Sequence, residues 1–224
     1  MKEEIIDAVK NADAEKIQEL IAIEPSLIYT VTPAGVSLIL LACYYRNAEI
    51  LKQLLGYQPE LDIFEAAAVG DYDRVYDILK YKPELINEYS GDGFTPLGLA
   101  SYFGQYDVVK LLLAKGAEVN IYSKNVMQVA PIHSAVTADN LEIARLLLEN
   151  RADPNIIQSK GVTPLHEAAQ NGNPEMIELL LKYEADPEAK MSDGETPMDI
   201  ANKKHYPNIA QLIRNFKSNY QRRG

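Results

Sequence analysis

Three histidines, His133, His166 and His205, are the side chains of this 224-residue chain that titrate closest to neutral pH and ligate metals most readily. His133 and His166 lie 33 residues apart, and each comes two residues after a proline and two before an alanine. If they occupy equivalent helices stacked about 8–10 Å apart, their imidazoles are too distant to share a metal ion. We therefore expect these two histidines to be structural.

The other reactive groups do not assemble into a recognisable catalytic motif. Cys43 is the one cysteine, so it cannot form a disulfide within the chain, which fits a reducing compartment. It follows Ala42 and resembles a small core residue, with no neighbouring base to activate it. The sequence has no phosphate-binding loop of the GxxxxGK type. Its carboxylate residues are typical of solvent-exposed helix faces and helix caps. These observations predict that the chain has no catalytic, cofactor-binding or metal-binding residue. They also predict that the protein is not an enzyme.

The elements that would carry these residues repeat along the chain. An alanine near the start of each helix-like segment recurs at gaps of 34, 24, 34, 35, 33 and 33 residues, at Ala8, Ala42, Ala66, Ala100, Ala135, Ala168 and Ala201. A period near 33 predicts a repeat array that folds as one continuous solenoid. We expect alanine because stacked helices leave room for little more than a methyl group, and a larger side chain would cost about 1–3 kcal/mol.

The clearest unit begins Thr163-Pro164-Leu165-His166-Glu167-Ala168-Ala169, turns at Gly172, and continues with Met176-Ile177-Glu178-Leu179-Leu180-Leu181. This unit resembles the T-P-L-H-x-A pattern of ankyrin repeats. Similar segments begin at Thr95, Ala130 and Thr196, and degenerate ones lie in register at Glu3, Ser37 and Leu61. The resemblance implies an all-α ankyrin-repeat solenoid of about seven helix-turn-helix units, with short β-hairpin fingers between them. The Pro-Glu-Leu-Ile-Asn phrase at 83–87 is similar to bacterial members of the family.

The repeat also predicts the domain organisation. We expect a single ankyrin-repeat domain over residues 1–217 and a C-terminal tail over 218–224, with the first and last units acting as polar caps. The predicted units lie near residues 3–36, 37–60, 61–94, 95–129, 130–162, 163–195 and 196–217.

Two spacings depart from the repeat. The step of 24 residues from Ala42 to Ala66 leaves no room for a finger, because Pro59 stops one helix and Asp62 caps the next. We expect a notch in the row of fingers there. The finger between Asn120 and Ala130 is two residues longer than the others and lacks glycine. Its Val126, Met127 and Val129 either contact a partner or pack on the neighbouring finger.

A third departure concerns helix ends. Gly116 ends the second helix of one unit, whereas Arg151 and Glu184 occupy the equivalent positions of the next two units. If these residues adopt the left-handed conformation, each costs roughly 1–2 kcal/mol relative to glycine.

Charge and hydropathy narrow the classes of partner. The net charge is −10, with 9 basic and 18 acidic residues in 1–112 and 13 basic and 14 acidic residues in 113–224. The acidic first half disfavours nucleic acid as a partner. The start of the sequence is acidic rather than apolar, and no stretch approaches the roughly 20 apolar residues of a membrane span. We expect a cytoplasmic protein that does not bind membranes. The sequence leaves the oligomeric state open and favours a monomer.

The surface that remains is the concave face of the array. The two positions after each alanine and its neighbour should point there, and aromatic residues gather at them in two units. The predicted partner-binding residues are Tyr44, Tyr45, Tyr102, Phe103, Tyr106, Tyr122 and Met127. Tyrosine is common in interface hot spots, and nearby acidic residues favour a protein partner with basic and apolar groups. The predicted function is a non-catalytic interaction scaffold; the alternatives are a secreted effector or the regulatory subunit of an enzyme.

Overall fold

The computed structural model describes the backbone of residues 1–220 and the side chains of residues 1–216. Within this part of the chain, fourteen α-helices follow one another in seven pairs, which confirms the predicted all-α solenoid. The pairs are α1 Lys2–Lys10 and α2 Ala14–Ile23, α3 Leu38–Tyr44 and α4 Ala48–Gly56, α5 Ile63–Val69 and α6 Tyr72–Tyr81, α7 Pro96–Tyr102 and α8 Tyr106–Ala114, α9 Pro131–Thr137 and α10 Leu141–Glu149, α11 Pro164–Asn171 and α12 Pro174–Lys182, and α13 Pro197–Lys203 and α14 Pro207–Tyr220.

The odd-numbered helices form one layer and the even-numbered helices a second layer. Each odd-numbered helix contacts the next one from α1 to α13, and contacts from α6 to α14 join the later even-numbered helices. Every alanine of the repeat is buried where odd-numbered helices meet, as predicted: Ala8, Ala42, Ala66, Ala100, Ala135, Ala168 and Ala201. Leucine and isoleucine side chains such as Leu112, Leu147 and Leu180 fill the space between the layers.

Local sequence explains where the helices begin. Asp or Asn precedes most even-numbered helices, and its side chain accepts a hydrogen bond from the backbone N–H three residues on, as at Asp71, Asn140 and Asn173. Proline occupies the first position of α7, α9, α11 and α13, where a helix leaves the N–H unpaired.

Short turn segments, which we call fingers, connect successive helix pairs. The prediction of β-hairpins at these positions was only partly right. Isolated bridges occur at Val31–Ser37 and Gln158–Val162, and no longer strand forms in residues 1–220. Backbone hydrogen bonds nevertheless join the fingers: Lys124 N donates to Gly93 O at 2.8 Å, and Ser159 N donates to Met127 O at 2.9 Å. The fingers therefore form a continuous row without a sheet.

The helix ends carry the predicted backbone strain. Arg151 has φ 71° and Glu184 has φ 68°, in the same left-handed region as Gly116 at 92°. The backbone carbonyls of these two residues accept hydrogen bonds from asparagines of the preceding unit. Asn120 Nδ2 donates to Arg151 O at 3.1 Å, and Asn155 Nδ2 donates to Glu184 O at 2.9 Å. Each asparagine bridges two units, a contact that the repeat pattern did not predict.

The connection after α4 has no finger, as expected. Residues 58–62 form no turn or bridge, and Asp62 caps α5 by accepting hydrogen bonds from Phe64 N and Glu65 N. The predicted notch, however, is wrong. A Cβ atom on Gly91 would lie 2.3 Å from the carbonyl oxygen of Gly35, so the fingers on either side of the short unit are in backbone contact.

The C-terminal end differs in one detail from the predicted organisation. Helix α14 continues to Tyr220, three residues beyond the predicted domain boundary at 217. The rest of the predicted tail, residues 221–224, lies outside the described residues.

Candidate functional site

The two repeat histidines hold neighbouring fingers together. His133 Nδ1 accepts a hydrogen bond from Ala130 N at 3.3 Å, so Nε2 carries the proton and donates to Val162 O at 3.3 Å. His166 repeats this arrangement with Thr163 N at 3.1 Å and Glu195 O at 3.2 Å. Both side chains are buried. The structure confirms the structural role expected for them.

Burial suppresses the acid–base chemistry of these groups. It lowers the pKa of His133 to about 4 against the raising effect of its backbone hydrogen bonds, and it also lowers the pKa of His166. Burial, together with the negative charge of Glu65, raises the pKa of the Cys43 thiol to about 12. Cys43 is therefore a protonated core residue, as predicted. Residues 1–216 bring no group of three or more histidine, cysteine, aspartate or glutamate side chains into a metal-binding arrangement.

A concave feature lies on the side of the odd-numbered helices that carries the fingers, which we call the finger face. It is a cavity of about 250 Å³ bounded by α3, α7, α9, α11 and the fingers around Met127 and Gln158. Its lining is mainly apolar and aromatic: Tyr44, Phe94, Leu99, Tyr102, Met127, Val129, Ser134, Thr137, Gln158 and Glu167. A second cavity of about 330 Å³ shares Thr137 and Glu167 and continues towards Met191 and Ile200. The two together form a groove along the finger face.

Glu167 stands where the two cavities meet. Its Oε1 accepts a hydrogen bond from Gln158 Nε2 at 2.6 Å, while its Oε2 is buried without a hydrogen-bond partner. Burial raises the pKa of Glu167 to about 8, against the lowering effect of the Thr137 and Gln158 side chains. An unpaired carboxyl oxygen in an apolar lining is costly unless a ligand satisfies it or a proton neutralises it.

An aromatic cluster forms one wall of this site. The ring of Tyr44 lies 6.3 Å from that of Tyr102 and 5.2 Å from that of Phe103, measured between centroids. The Tyr44 hydroxyl donates a hydrogen bond to Asp92 Oδ2 at 2.6 Å. Asp92 lies in a finger beyond the short unit. Of these three predicted residues, Tyr44 and Tyr102 line the cavity, and Phe103 packs behind them.

The long finger forms the opposite edge. Ser123 Oγ is buried and accepts a hydrogen bond from Val129 N at 2.8 Å, which closes the finger without a glycine. Val126 is 90% exposed at its tip, and Met127 is 54% exposed while its side chain lines the cavity. Val129 is half-buried and lines the cavity with Met127, whereas Val126 faces solvent.

The other predicted residues lie outside the cavity. Tyr45 follows α3 and is 53% exposed. Tyr122 lies in the long finger, and Tyr106 begins the even-numbered helix α8. Tyr106 therefore belongs to the opposite layer from Tyr44 and Tyr102.

Sequence reasoning missed the polar residues of the site. Glu167 fills the variable position of the T-P-L-H-x-A pattern, and its partner Gln158 lies in the finger nine residues earlier. Thr137 is one of the two positions after Ala135 and its neighbour that the repeat pattern places on the concave face, and it lines the cavity although it is not among the predicted partner-binding residues. The signal available in the sequence was that an acidic residue stands between His166 and Ala168, two positions that the repeat pattern places in the interior.

Comparisons with known proteins agree with this architecture. A family model described as ankyrin repeats (3 copies) matches residues 5–121, 63–158 and 132–223. The chain is 34% identical over 106 residues to ankyrin repeat and SAM domain-containing protein 6 of Rattus norvegicus, covering 46% of this chain and 11% of that protein. It is 30% identical over 169 residues to a putative ankyrin repeat protein of Acanthamoeba polyphaga mimivirus, covering 71% of this chain and 21% of that protein.

A human relative, transient receptor potential cation channel subfamily A member 1, is 37% identical over 100 residues, or 44% of this chain and 9% of that protein. The chain thus spans between 9% and 21% of the length of these relatives. The three come from animals and a virus, and the bacterial resemblance stays a prediction. None of the helices in residues 1–220 is long and apolar enough to cross a bilayer. With repeats that match the family model along most of its length, this chain belongs to the ankyrin-repeat family.

Proposed function

We propose that this chain is a non-catalytic scaffold that binds a partner protein through its finger face. Ankyrin repeats are in general protein–protein interaction modules. The observation that carries the proposal is the groove from Tyr44 to Ile200, whose lining is mainly apolar and includes the exposed side chain of Met127. Such a surface favours binding because its hydrogen-bonded fingers are ordered before the partner arrives, so little conformational entropy is lost.

The chemistry of the groove also indicates the kind of partner. Its apolar lining and the exposed Val126 and Met127 offer area to apolar side chains. The net charge of −10 favours a partner that presents basic groups. We further propose that the protein acts as a monomer in the cytoplasm and binds neither nucleic acid nor membranes.

Affinity capture with two matched surface variants tests this proposal. The finger-face variant is Met127→Arg/Thr137→Arg, which replaces two exposed lining residues and repels a basic partner. The control is Tyr72→Arg/Tyr76→Arg on α6, where both tyrosines are exposed and the added charge is the same. Both pairs lie on the surface, so each variant should keep the melting temperature of the parent within a few degrees.

We expect the finger-face variant to lose the proteins that the parent captures from lysate, and the α6 variant to retain them. The opposite pattern, with loss only in the α6 variant, would place the binding surface on the even-numbered helices and refute the proposal.

A further inference from the structure

We propose that the cavity between Tyr44 and Thr137 receives one phenylalanine side chain of the partner protein. This inference rests on the proposed function and deepens it, because it names the side chain that the finger face recognises. Three features of the cavity carry the inference: its size, a lining whose polar groups bond to one another, and its aromatic wall.

The size of the cavity fits one aromatic ring. Its volume is about 250 Å³, above the roughly 150 Å³ of an apolar cavity that holds benzene and below the roughly 300 Å³ at which pockets for drug-sized ligands begin. Met127 and Thr137 are exposed and line the cavity, so a side chain of the partner can enter past them from solvent.

The polar side chains of the lining are engaged with one another. Gln158 Nε2 donates to Glu167 Oε1 at 2.6 Å, and the Thr137 side chain also hydrogen-bonds this carboxyl group. Glu167 Oε2 is buried, so an occupant of the cavity cannot reach it. Tyrosine and tryptophan carry an O–H or N–H that needs a partner when buried, which favours phenylalanine among the aromatic residues.

The lining also matches an occupant without charge. Glu167 is its one carboxyl residue, and burial raises the pKa of that group to about 8, so the carboxyl is mostly protonated at neutral pH. The lysine and arginine side chains would lose their hydration in this cavity without gaining an opposite charge. Basic groups of the partner therefore bind outside the cavity.

The aromatic wall favours a ring over an aliphatic side chain. Tyr44, Phe94 and Tyr102 line the cavity, and the rings of Tyr44 and Tyr102 are tilted by 50° with their centroids 6.3 Å apart. Aromatic rings attract one another in such tilted arrangements. Met127 adds a thioether, which makes favourable contacts with ring edges. A phenylalanine ring would extend this cluster, whereas leucine would gain apolar contact alone.

The wall is held in place before the partner binds. The Tyr44 hydroxyl donates to Asp92 Oδ2 at 2.6 Å, and Ser90 Oγ donates to Oδ1 of the same carboxylate at 2.5 Å. The ring of Phe103 packs against that of Tyr44 at 5.2 Å between centroids. A pocket formed in advance suits a buried aromatic anchor, because little conformational entropy is lost when the ring enters.

The test is an NMR titration of the full chain carrying ¹³C-methyl-labelled methionine. Met127 lines the cavity and reports binding, whereas Met176 is buried in α12 and serves as the internal reference. The probes are the Nα-acetyl N-methylamides of phenylalanine, leucine, tyrosine and lysine. We expect saturable shifts of the Met127 methyl signal with the phenylalanine probe and no shift at Met176. Binding should be at least threefold weaker for the leucine and tyrosine probes and at least tenfold weaker for the lysine probe.

Two matched substitutions in the long finger test the location of the site. Val129 is half-buried and lines the cavity, so Val129→Phe should fill it with a ring of the chain itself and weaken the phenylalanine probe at least tenfold. Val126→Phe adds the same ring at the tip of the finger, where the side chain is 90% exposed, and should leave binding unchanged within twofold.

A further variant guards against a folding defect in Val129→Phe. Tyr102→Leu keeps the wall apolar but removes its ring, so it should weaken the phenylalanine probe at least threefold and leave the leucine probe unchanged.

The inference would be overturned by a leucine, tyrosine or lysine probe that binds as tightly as the phenylalanine probe, by the absence of a saturable shift at Met127, or by unchanged binding in both Val129→Phe and Tyr102→Leu. If one of these results is found while Met127→Arg/Thr137→Arg still abolishes partner capture, the phenylalanine site is refuted and the proposed function stands.

Discussion

Gly35 and Gly91, 56 residues apart in the sequence, bring two fingers into backbone contact across the unit that has none. A Cβ atom on Gly91 would lie 2.3 Å from Gly35 O and 2.7 Å from Gly35 Cα. Backbone atoms cannot turn aside as a flexible side chain can, so the absence of a side chain at Gly91 is what closes the row of fingers.

Gly91→Ala should therefore separate these two fingers and destabilise the protein by about 1–3 kcal/mol. For a domain of this size that corresponds to a fall in melting temperature of roughly 2–4 °C per kcal/mol. The matched control is Gly56→Ala at the end of α4, where a new Cβ meets no atom within 4 Å. Thermal unfolding should show the control at or above the parent, and an unchanged melting temperature for Gly91→Ala would contradict the contact.

The hydrogen bond from Tyr44 to Asp92 spans the same gap with side chains. Its O–O distance is 2.6 Å and its acceptor is a carboxylate, so Tyr44→Phe should cost about 1.5–3 kcal/mol. Tyr45→Phe removes the hydroxyl of the neighbouring exposed ring and should cost nothing measurable. Urea unfolding of the two variants measures this difference, and equal midpoints would show that the bond does not stabilise the fold.

The raised pKa of Glu167 makes stability depend on pH. Its value of about 8 in the folded chain exceeds the ordinary value of 4.5, so the folded state binds the proton more tightly than the unfolded state. This contribution is complete below about pH 4.5 and is lost as pH rises through 8. Between pH 6.5 and 8.5 the parent should lose about 1–2 kcal/mol relative to Glu167→Gln.

Urea titrations of both proteins at several pH values check this prediction. The range stays above pH 6.5 because the lowered pKa of His133 has the opposite effect below it, where the unfolded chain takes up a proton that the folded chain excludes. Parallel stability curves for the parent and Glu167→Gln would mean that Glu167 is ionised in the folded protein.

Backbone strain at Arg151 gives a stabilising substitution. Arg151 has φ 71° and is exposed, and Asn120 contacts its backbone carbonyl rather than its side chain. Arg151→Gly should raise the melting temperature by roughly 2–8 °C through the relief of about 1–2 kcal/mol. Arg145→Gly, in the middle of α10, should instead lose about 1 kcal/mol of helix stability. A lower melting temperature for Arg151→Gly would refute the assignment of strain.

The features that follow from one repeat unit were predictable from sequence. The alanine period located the helix pairs, the shared neighbours of His133 and His166 indicated a structural role, and the alignment of Arg151 with Gly116 predicted its left-handed backbone. In each case the conformation or the contacts of the residue involve only its own unit or the next one, so the repeat spacing is enough to predict them.

The features that depend on how distant units meet were not predictable in the same way. The contact of Gly35 with Gly91 depends on the path of the whole chain across the short unit, which two glycines in separate fingers do not reveal. The pairing of Gln158 with Glu167 joins a finger to a variable helix position, where the repeat pattern sets no residue type. Neighbouring fingers are joined mainly by single backbone hydrogen bonds, so they contain isolated bridges in place of strands. The sequence does not show how few of these bonds form, and so it could not predict how little strand the fingers contain.

The most direct test of the finger face as the binding surface is hydrogen–deuterium exchange of the chain with and without its captured partner. Binding at the finger face predicts slower exchange in the fingers at residues 121–130 and 155–163 and in α11, with α6 and α8 unchanged. Protection confined to α6 and α8, with the fingers exchanging as in the free protein, would contradict it.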